Sequence, residues 1–309
     1  ALPIFDVENR KDDIINASKA INDLIKDSRV LAKPTKCYYC DEPCDGFCNS
    51  HTLPAFCLRN IAQKPRILAV DEFAIHKGHS YATCVMDLEQ GDILWVGKGR
   101  AMKDFEKLFE DVPSDSLSAV IAVAMDMNAS YNKLVTKHLP KARIVYDRFH
   151  MQSQFGRDVL GVIRLDEARR HKAKEKEILA DISDDTDKET MKSLKQEAKA
   201  EKQEYSQLKK LRWSLLTNSY KLSDSKTEQL QSILQDHHDL AVCYAMKEEM
   251  CRLYELTDYQ QAVIGWTKWF QAAKESEIPA LVRFAVQKEK RLPGLAAHAI
   301  YSISTGKLE

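Results

Sequence analysis

The period of the apolar positions changes several times along this chain. Ile14, Ala17, Ile21, Leu24 and Ile25 recur at spacings of three and four, which predicts a helix over residues 11–30. Residues 33–60 carry no such period and hold most of the cysteines. Arg66 to Val70 is a short apolar run that reads as a buried strand. Ser80 to Leu88 and Asp92 to Gly97 are rich in β-branched and aromatic residues, and the Glu89-Gln90-Gly91 link between them predicts a hairpin. Met102, Phe105, Leu108 and Phe109 share one helix face. Leu117 to Met125 reads as a second buried strand. Tyr131, Leu134 and Val135 mark a helix that closes near Pro140, and Ala142 to Tyr146 is a further apolar strand.

The predicted order, three strands and then strands alternating with helices, describes an α/β sheet of mixed direction. From about residue 151 the strand signals fade. Residues 164–212 are crowded with Lys, Glu, Asp and Arg around sparse apolar positions such as Leu194, Tyr205, Leu208 and Leu211. That pattern predicts a long solvated helical pair broken near Ser183. Residues 226–290 predict more compact helices, with Trp266, Trp269 and Phe270 on a core face.

Composition narrows the function classes. The chain has 309 residues with 46 Lys plus Arg against 46 Asp plus Glu, which excludes a uniformly basic nucleic-acid coat but not a local basic groove. Glycine is scarce, 10 in all, and neither a Walker-type nor a dinucleotide-binding glycine motif occurs. No run is long and apolar enough to span a membrane, and no signal-peptide pattern opens the chain. The chain opens on Ala1 and stops at Glu309, which reads as a fragment.

Three of the apolar strands end in an aspartate: Asp71 in ILAVDEF, Asp126 in VAMDMN and Asp147 in IVYDRFH. Carboxylates gathered at neighbouring strand ends repel one another unless a hard divalent cation joins them. Two such ions roughly 3.5–4 Å apart activate a water and stabilise the leaving oxygen of a phosphodiester. Asp after a strand is also a common loop starter and helix N-cap, and Asp126 is placed to cap the helix beginning near Ala129. Glu72 follows Asp71, so strand alternation turns it to the opposite face.

The strings ILAVDEFAIHKGHSYATCVMDLEQGDILWVGKGR, AVAMDMNASY, LPKARIVYDRFHMQ and VIRLDEAR resemble the catalytic core of DDE transposases of the bacterial insertion-sequence family called ISL-three. The closing IYSISTGKLE resembles the segment that carries the family's final glutamate. The resemblance implies an RNase H-like core over residues 66–155, completed by 300–309 and interrupted by an all-α insertion over 156–299. It implies Asp71, Asp126 and Glu309 as catalytic ligands of two Mg²⁺ or Mn²⁺ ions. It implies double-stranded DNA as partner: element ends are nicked, and a 3′-hydroxyl then attacks target DNA. A homo-oligomer at work in the cytoplasm, associated with the nucleoid, goes with that reading. Asp147 would support the site by orienting Arg148 or His150, or would form a structural ion pair with Arg148. His76 and Lys77, with His79, form a short basic cluster that either touches DNA phosphate or is a solvated loop.

Residues 1–65 form the third predicted unit. Cys37, Cys40, Cys44 and Cys48, with His51 and Cys57 beyond, offer a C-x-x-C pair and further ligands, so the segment is a candidate Zn²⁺ site. The family carries an N-terminal zinc element followed by a helix-turn-helix. Here only about 30 residues separate Cys40 from Asp71, too few for that motif. Asp236-His237-His238 resembles a phosphoesterase signature but sits in a helical stretch without a preceding strand, so it reads as structural. Two other readings stand beside the transposase: a zinc-containing DNA- or partner-binding piece without catalysis, and a stand-alone metal nuclease of the same fold.

Overall fold

The computed structural model describes residues 64–76, 80–183 and 187–306. The predicted helix at 11–30, the cysteine segment, Lys77 and Glu309 lie outside the described residues.

A five-stranded mixed sheet forms the first half of this region. Its strands are β1 (Ile67–His76), β2 (Ser80–Asp87), β3 (Ile93–Lys98), β4 (Ala122–Met125) and β5 (Arg143–Tyr146), in the order β3-β2-β1-β4-β5. β1, β2 and β3 run antiparallel, whereas β4 and β5 pair parallel to β1 and to each other. Leu68, Ala69 and Val70 are buried on both faces of β1, as are all four residues of β4. That two-sided burial is why both read as continuous apolar runs rather than alternating ones. At Gly91 a positive φ of 83° turns the hairpin between β2 and β3.

Two strand expectations change at their ends. β1 continues to His76 because its ladder with β2 outlasts its ladder with β4, and Phe73 and Ile75 stand exposed on that extension. Leu117–Val120 is apolar and partly buried but forms turns, not strand. The parallel neighbour begins only at Ile67, and Ile121 N–H already reaches back to the Arg66 carbonyl, so residues 117–120 have no ladder to join.

Helix α1 (Met102–Asp111) and helix α2 (Ala129–His138) pack together and cover the sheet. Phe105 stacks obliquely on Tyr131 at 4.4 Å and meets Trp95 of β3 edge-on. The N-cap of α2 is Asn128, whose side chain accepts from Ser130 N–H; Asp126 does not cap it.

After β5 the chain is helical. Helix α3 (Arg148–Phe155), a π-helical turn (Gly156–Leu160) and helix α4 (Gly161–Ala180) follow one another without a break. At 1.5 Å per residue this continuous helix spans about 50 Å. Helix α5 (Lys188–Lys210) folds back along α4, giving the predicted charged hairpin. Buried Arg164 fastens it, donating from Nη1 to the Leu208 and Lys209 carbonyls at the C-terminal end of α5.

The remaining helices are α6 (Arg212–Leu216), α7 (Asp224–Asp236), α8 (His238–Leu253), α9 (Tyr259–Glu275), α10 (Pro279–Glu289) and α11 (Leu292–Ala296). Trp266, Trp269, Phe270, Phe284 and Phe155 interlock in their core, edge-to-face except for Trp266 stacked on Phe270. Both tryptophans are buried, which removes them as base-stacking platforms.

The chain then returns to the sheet. Gly294 of α11 lies so close to β5 that an added Cβ would stand 2.4 Å from the Tyr146 ring. Ala297, Tyr301 and Ile303 pack against Ala122, Val145 and Ile67.

Candidate active site

The parallel register builds the site. Val70 pairs with Met125, and Met125 pairs with Tyr146. The next residue on each strand path is Asp71, Asp126 and Asp147, so three carboxylates follow equivalent positions on three adjacent strands. Asp71 and Asp126 are partly exposed, whereas Asp147 is buried.

Asp147 is committed to structure. Its Oδ1 caps α3, accepting from Phe149 N–H (2.8 Å) and His150 N–H (3.1 Å). Its Oδ2 accepts from Ser304 Oγ (2.8 Å) and Thr305 N–H (2.9 Å) in the returning C-terminal segment. Burial by itself would raise the carboxyl's pKa. The His150 side chain, the Thr305 N–H and the Ser304 hydroxyl outweigh burial and hold it well below the usual range. The expected ion pair with Arg148 does not form. The first turn of α3 carries Arg148 away, to 3.6 Å from Glu255 and over the Tyr254 ring.

His150 stands between the carboxylates. Its Nδ1 lies 3.4 Å from Asp147 Oδ1, and its Nε2 lies 3.9 Å from Asp71 Oδ1. The Asp147 contact, opposed by burial and reinforced by the charges of Asp126 and Asp71, raises its pKa to about 9. The three carboxylates therefore favour the protonated ring.

Gln154 follows His150 by one helical turn, and its Nε2 sits 3.5 Å from Asp126 Oδ1. Lys288 of α10 donates to Gln154 Oε1, and burial lowers the lysine's pKa against the pull of Asp126 and Asp158. Glu72 lies on the other side of β1, as alternation requires, where Asn128 Nδ2 donates to its Oε1 at 3.3 Å. His76 closes β1.

The donor set suits a hard divalent cation. Asp71 and Asp126 present oxygen only, lie at matching positions on adjacent strand paths, and both raise the pKa of the neighbouring His150.

A model of the ISL-three (ISL3) transposases, described simply as transposase, matches residues 68–309. The chain belongs to the ISL3 family of DDE transposases. It is 32% identical over 246 residues to the transposase for insertion sequence element IS1001 of Bordetella parapertussis, covering 80% of this chain and 54% of that one. It is 21% identical over 246 residues to the transposase for IS1557 of Mycobacterium tuberculosis, covering 79% and 53%. The chain thus spans about half the length of the curated relatives it matches.

Four residues of the candidate site in this ISL3-family chain escape a reading of motifs. Gln154 is the nearest to legible, because it stands only four residues after His150, on the same helix of the structure. Lys288 and the Ser304–Thr305 pair lie more than 130 residues from their partners, and no local pattern marks them. Among the described residues no helix is long and apolar enough to cross a membrane.

Proposed function

We propose that this chain is the catalytic part of a DNA transposase of DDE type, nicking element ends and transferring the freed 3′-end to target DNA. The observation that carries the reading is the register placing Asp71, within β1, and Asp126, just past β4, at matching positions on adjacent parallel strands. The sheet order, with an antiparallel hairpin on one side of β1 and two parallel strands on the other, supports an RNase H-like core over 66–155. Residues 300–309 complete that core and 156–299 form the helical insertion. Asp71 and Asp126 hold Mg²⁺ or Mn²⁺, and Glu309 is the third carboxylate. Thr305 is fixed on Asp147, and Glu309 is four residues further on, within about 14 Å of extended chain. Two bound ions supply activation of the attacking oxygen and stabilisation of charge at phosphorus.

The protein's own residues do the positioning. Gln154, gripped by Lys288, steadies Asp126. His150, fixed by Asp147, balances the charge of Asp71 and Asp126 and offers a cation to a DNA phosphate. Arg148, His76 and Lys77 are further DNA contacts. Residues 1–65, with Cys37, Cys40, Cys44 and Cys48, form a zinc element. The working form is a homo-oligomer on double-stranded DNA in the cytoplasm.

The test is nicking of DNA that carries the element's terminal inverted repeats, with Mg²⁺ or Mn²⁺. Asp71→Asn and Asp126→Asn are each expected to reduce nicking about 100-fold or more. Unchanged nicking in these variants rejects the site. Nicking without joining of the 3′-end to a target indicates a nuclease, and no nicking by the unaltered chain indicates a binding piece.

A further inference from the structure

A second cluster of metal-binding side chains lies in the helical half. Glu167 and His171 stand four residues apart on α4, and so share one face. His237 lies at the junction of α7 and α8. Each of these three brings one donor atom within 4.8 Å of the other two. The His237 Nδ1 to Glu167 Oε2 distance is 3.5 Å, and the two imidazoles meet edge-to-face with centroids 5.4 Å apart.

Glu167 Oε1 accepts from Arg170 Nη1 at 2.6 Å at the surface, but two observations set the rest of the cluster apart from a surface ion pair. His237 is 6% exposed, and its Nε2 is buried without a hydrogen-bond partner. A buried, unsatisfied ring nitrogen destabilises the fold unless something binds it. His171, for its part, donates from Nδ1 to Glu201 Oε2 of α5 at 2.6 Å. A carboxylate on one ring nitrogen fixes the tautomer and orients the other nitrogen, the arrangement that accompanies histidines bound to metal.

We propose that Glu167, His171 and His237 bind a divalent first-row transition ion, Zn²⁺ being the ion tested first, with Glu201 orienting His171. Two imidazoles and one carboxylate form a borderline donor set, which suits Zn²⁺ and disfavours Mg²⁺ or Ca²⁺. Three protein ligands leave a fourth position for water. The ion joins α4 to the α7–α8 junction, and Glu201 draws in α5. It is therefore a clamp holding the long charged hairpin against the rest of the helical half. The hairpin needs such a clamp because its own facing surfaces bury few apolar residues, among them Ala168, Ala198 and Leu208.

The experiment is a Co²⁺ titration of the metal-free full chain, followed in the visible and near-ultraviolet, with displacement by Zn²⁺. Cobalt on cysteine gives an intense thiolate charge-transfer band, whereas cobalt on this cluster gives d–d bands alone, so the two candidate zinc sites separate spectroscopically. With excess Mg²⁺ present to fill the Asp71–Asp126 site, the unaltered chain is expected to bind one equivalent of thiolate-free cobalt, and His237→Gln to lose it. Glu167→Gln, at a less buried position, is the second variant and should lose it with the fold intact by circular dichroism. Glu201→Gln should keep the site but weaken it about 10- to 100-fold. Equal thiolate-free cobalt in the unaltered chain and in folded Glu167→Gln, or none in either, overturns the proposal. Unchanged affinity in Glu201→Gln overturns the role of Glu201.

Discussion

Asp147 Oδ2 accepts a 2.9 Å hydrogen bond from the backbone N–H of Thr305, 158 residues further along the chain. The same carboxylate ends β5, caps α3 and holds His150. One buried side chain thereby joins the sheet, the first helix beyond it and the returning C-terminal segment.

Removing that carboxylate should cost more than an ordinary cap. Asp147→Ala is expected to lower stability by about 2–4 kcal/mol, from a lost N-cap and unsatisfied buried donors. Asp147→Asn keeps one acceptor oxygen and should lose less. Urea unfolding of both variants measures this, and a loss under about 0.5 kcal/mol in Asp147→Ala would show that the junction is held elsewhere.

The contribution of the Asp147–His150 pair depends on pH in a defined direction. The Asp147 pKa is lowered on folding, so its stabilisation is present above the ordinary value of about 4 and is lost as the pH falls through the lowered one. The His150 pKa is raised to about 9, so its stabilisation is full below about pH 6.5 and is lost as the pH rises through 9. The difference in Tm between the unaltered chain and Asp147→Asn should be widest between about pH 4 and 6.5. A difference that is flat from about pH 4 to 10 would contradict this.

Substitution of the neighbouring aspartates should move the His150 titration directly. In NMR titrations, Asp147→Asn should produce the largest fall from about 9, because the direct contact is the leading cause, and Asp126→Asn and Asp71→Asn smaller ones. A larger fall in Asp126→Asn than in Asp147→Asn would make Asp126 the main partner of the imidazolium.

Gly294 tests the docking of α11 on the sheet. A methyl at this position meets the Tyr146 ring at 2.4 Å and the Ile144 carbonyl at 3.2 Å. Gly294→Ala is expected to destabilise by about 1–3 kcal/mol through overpacking. A Tm at or above that of the unaltered chain would show that α11 can shift away without cost.

Where sequence and structure part, the causes are physical. Leu117–Val120 carries the composition of a strand, but a strand requires a partner, and β1 begins too late to provide one. Asp126 is near enough in sequence to cap α2, yet that role falls to Asn128, two residues nearer the helix. Arg148 sits next to Asp147 in sequence, but helical geometry turns adjacent side chains apart, and His150, three residues on, returns to it. Asp236-His237-His238 resembles a weak phosphoesterase motif; the fold instead brings its middle residue to Glu167 and His171.

The sequence by itself determined the mixed α/β sheet, the charged helical hairpin, the core tryptophans and the aspartates that close three apolar runs. Each of these is set by local periodicity or by the residue that ends an apolar run, and such signals act over a few positions. Tertiary structure decided that those aspartates share one register, that His150 stands among them, and that Lys288, Ser304 and Thr305 come back to support them. It also decided which glutamates and histidines of the helical half meet. These relationships depend on strand pairing and helix packing between segments far apart in the chain, and hydrogen bonds and charges at that range leave no periodic trace in sequence.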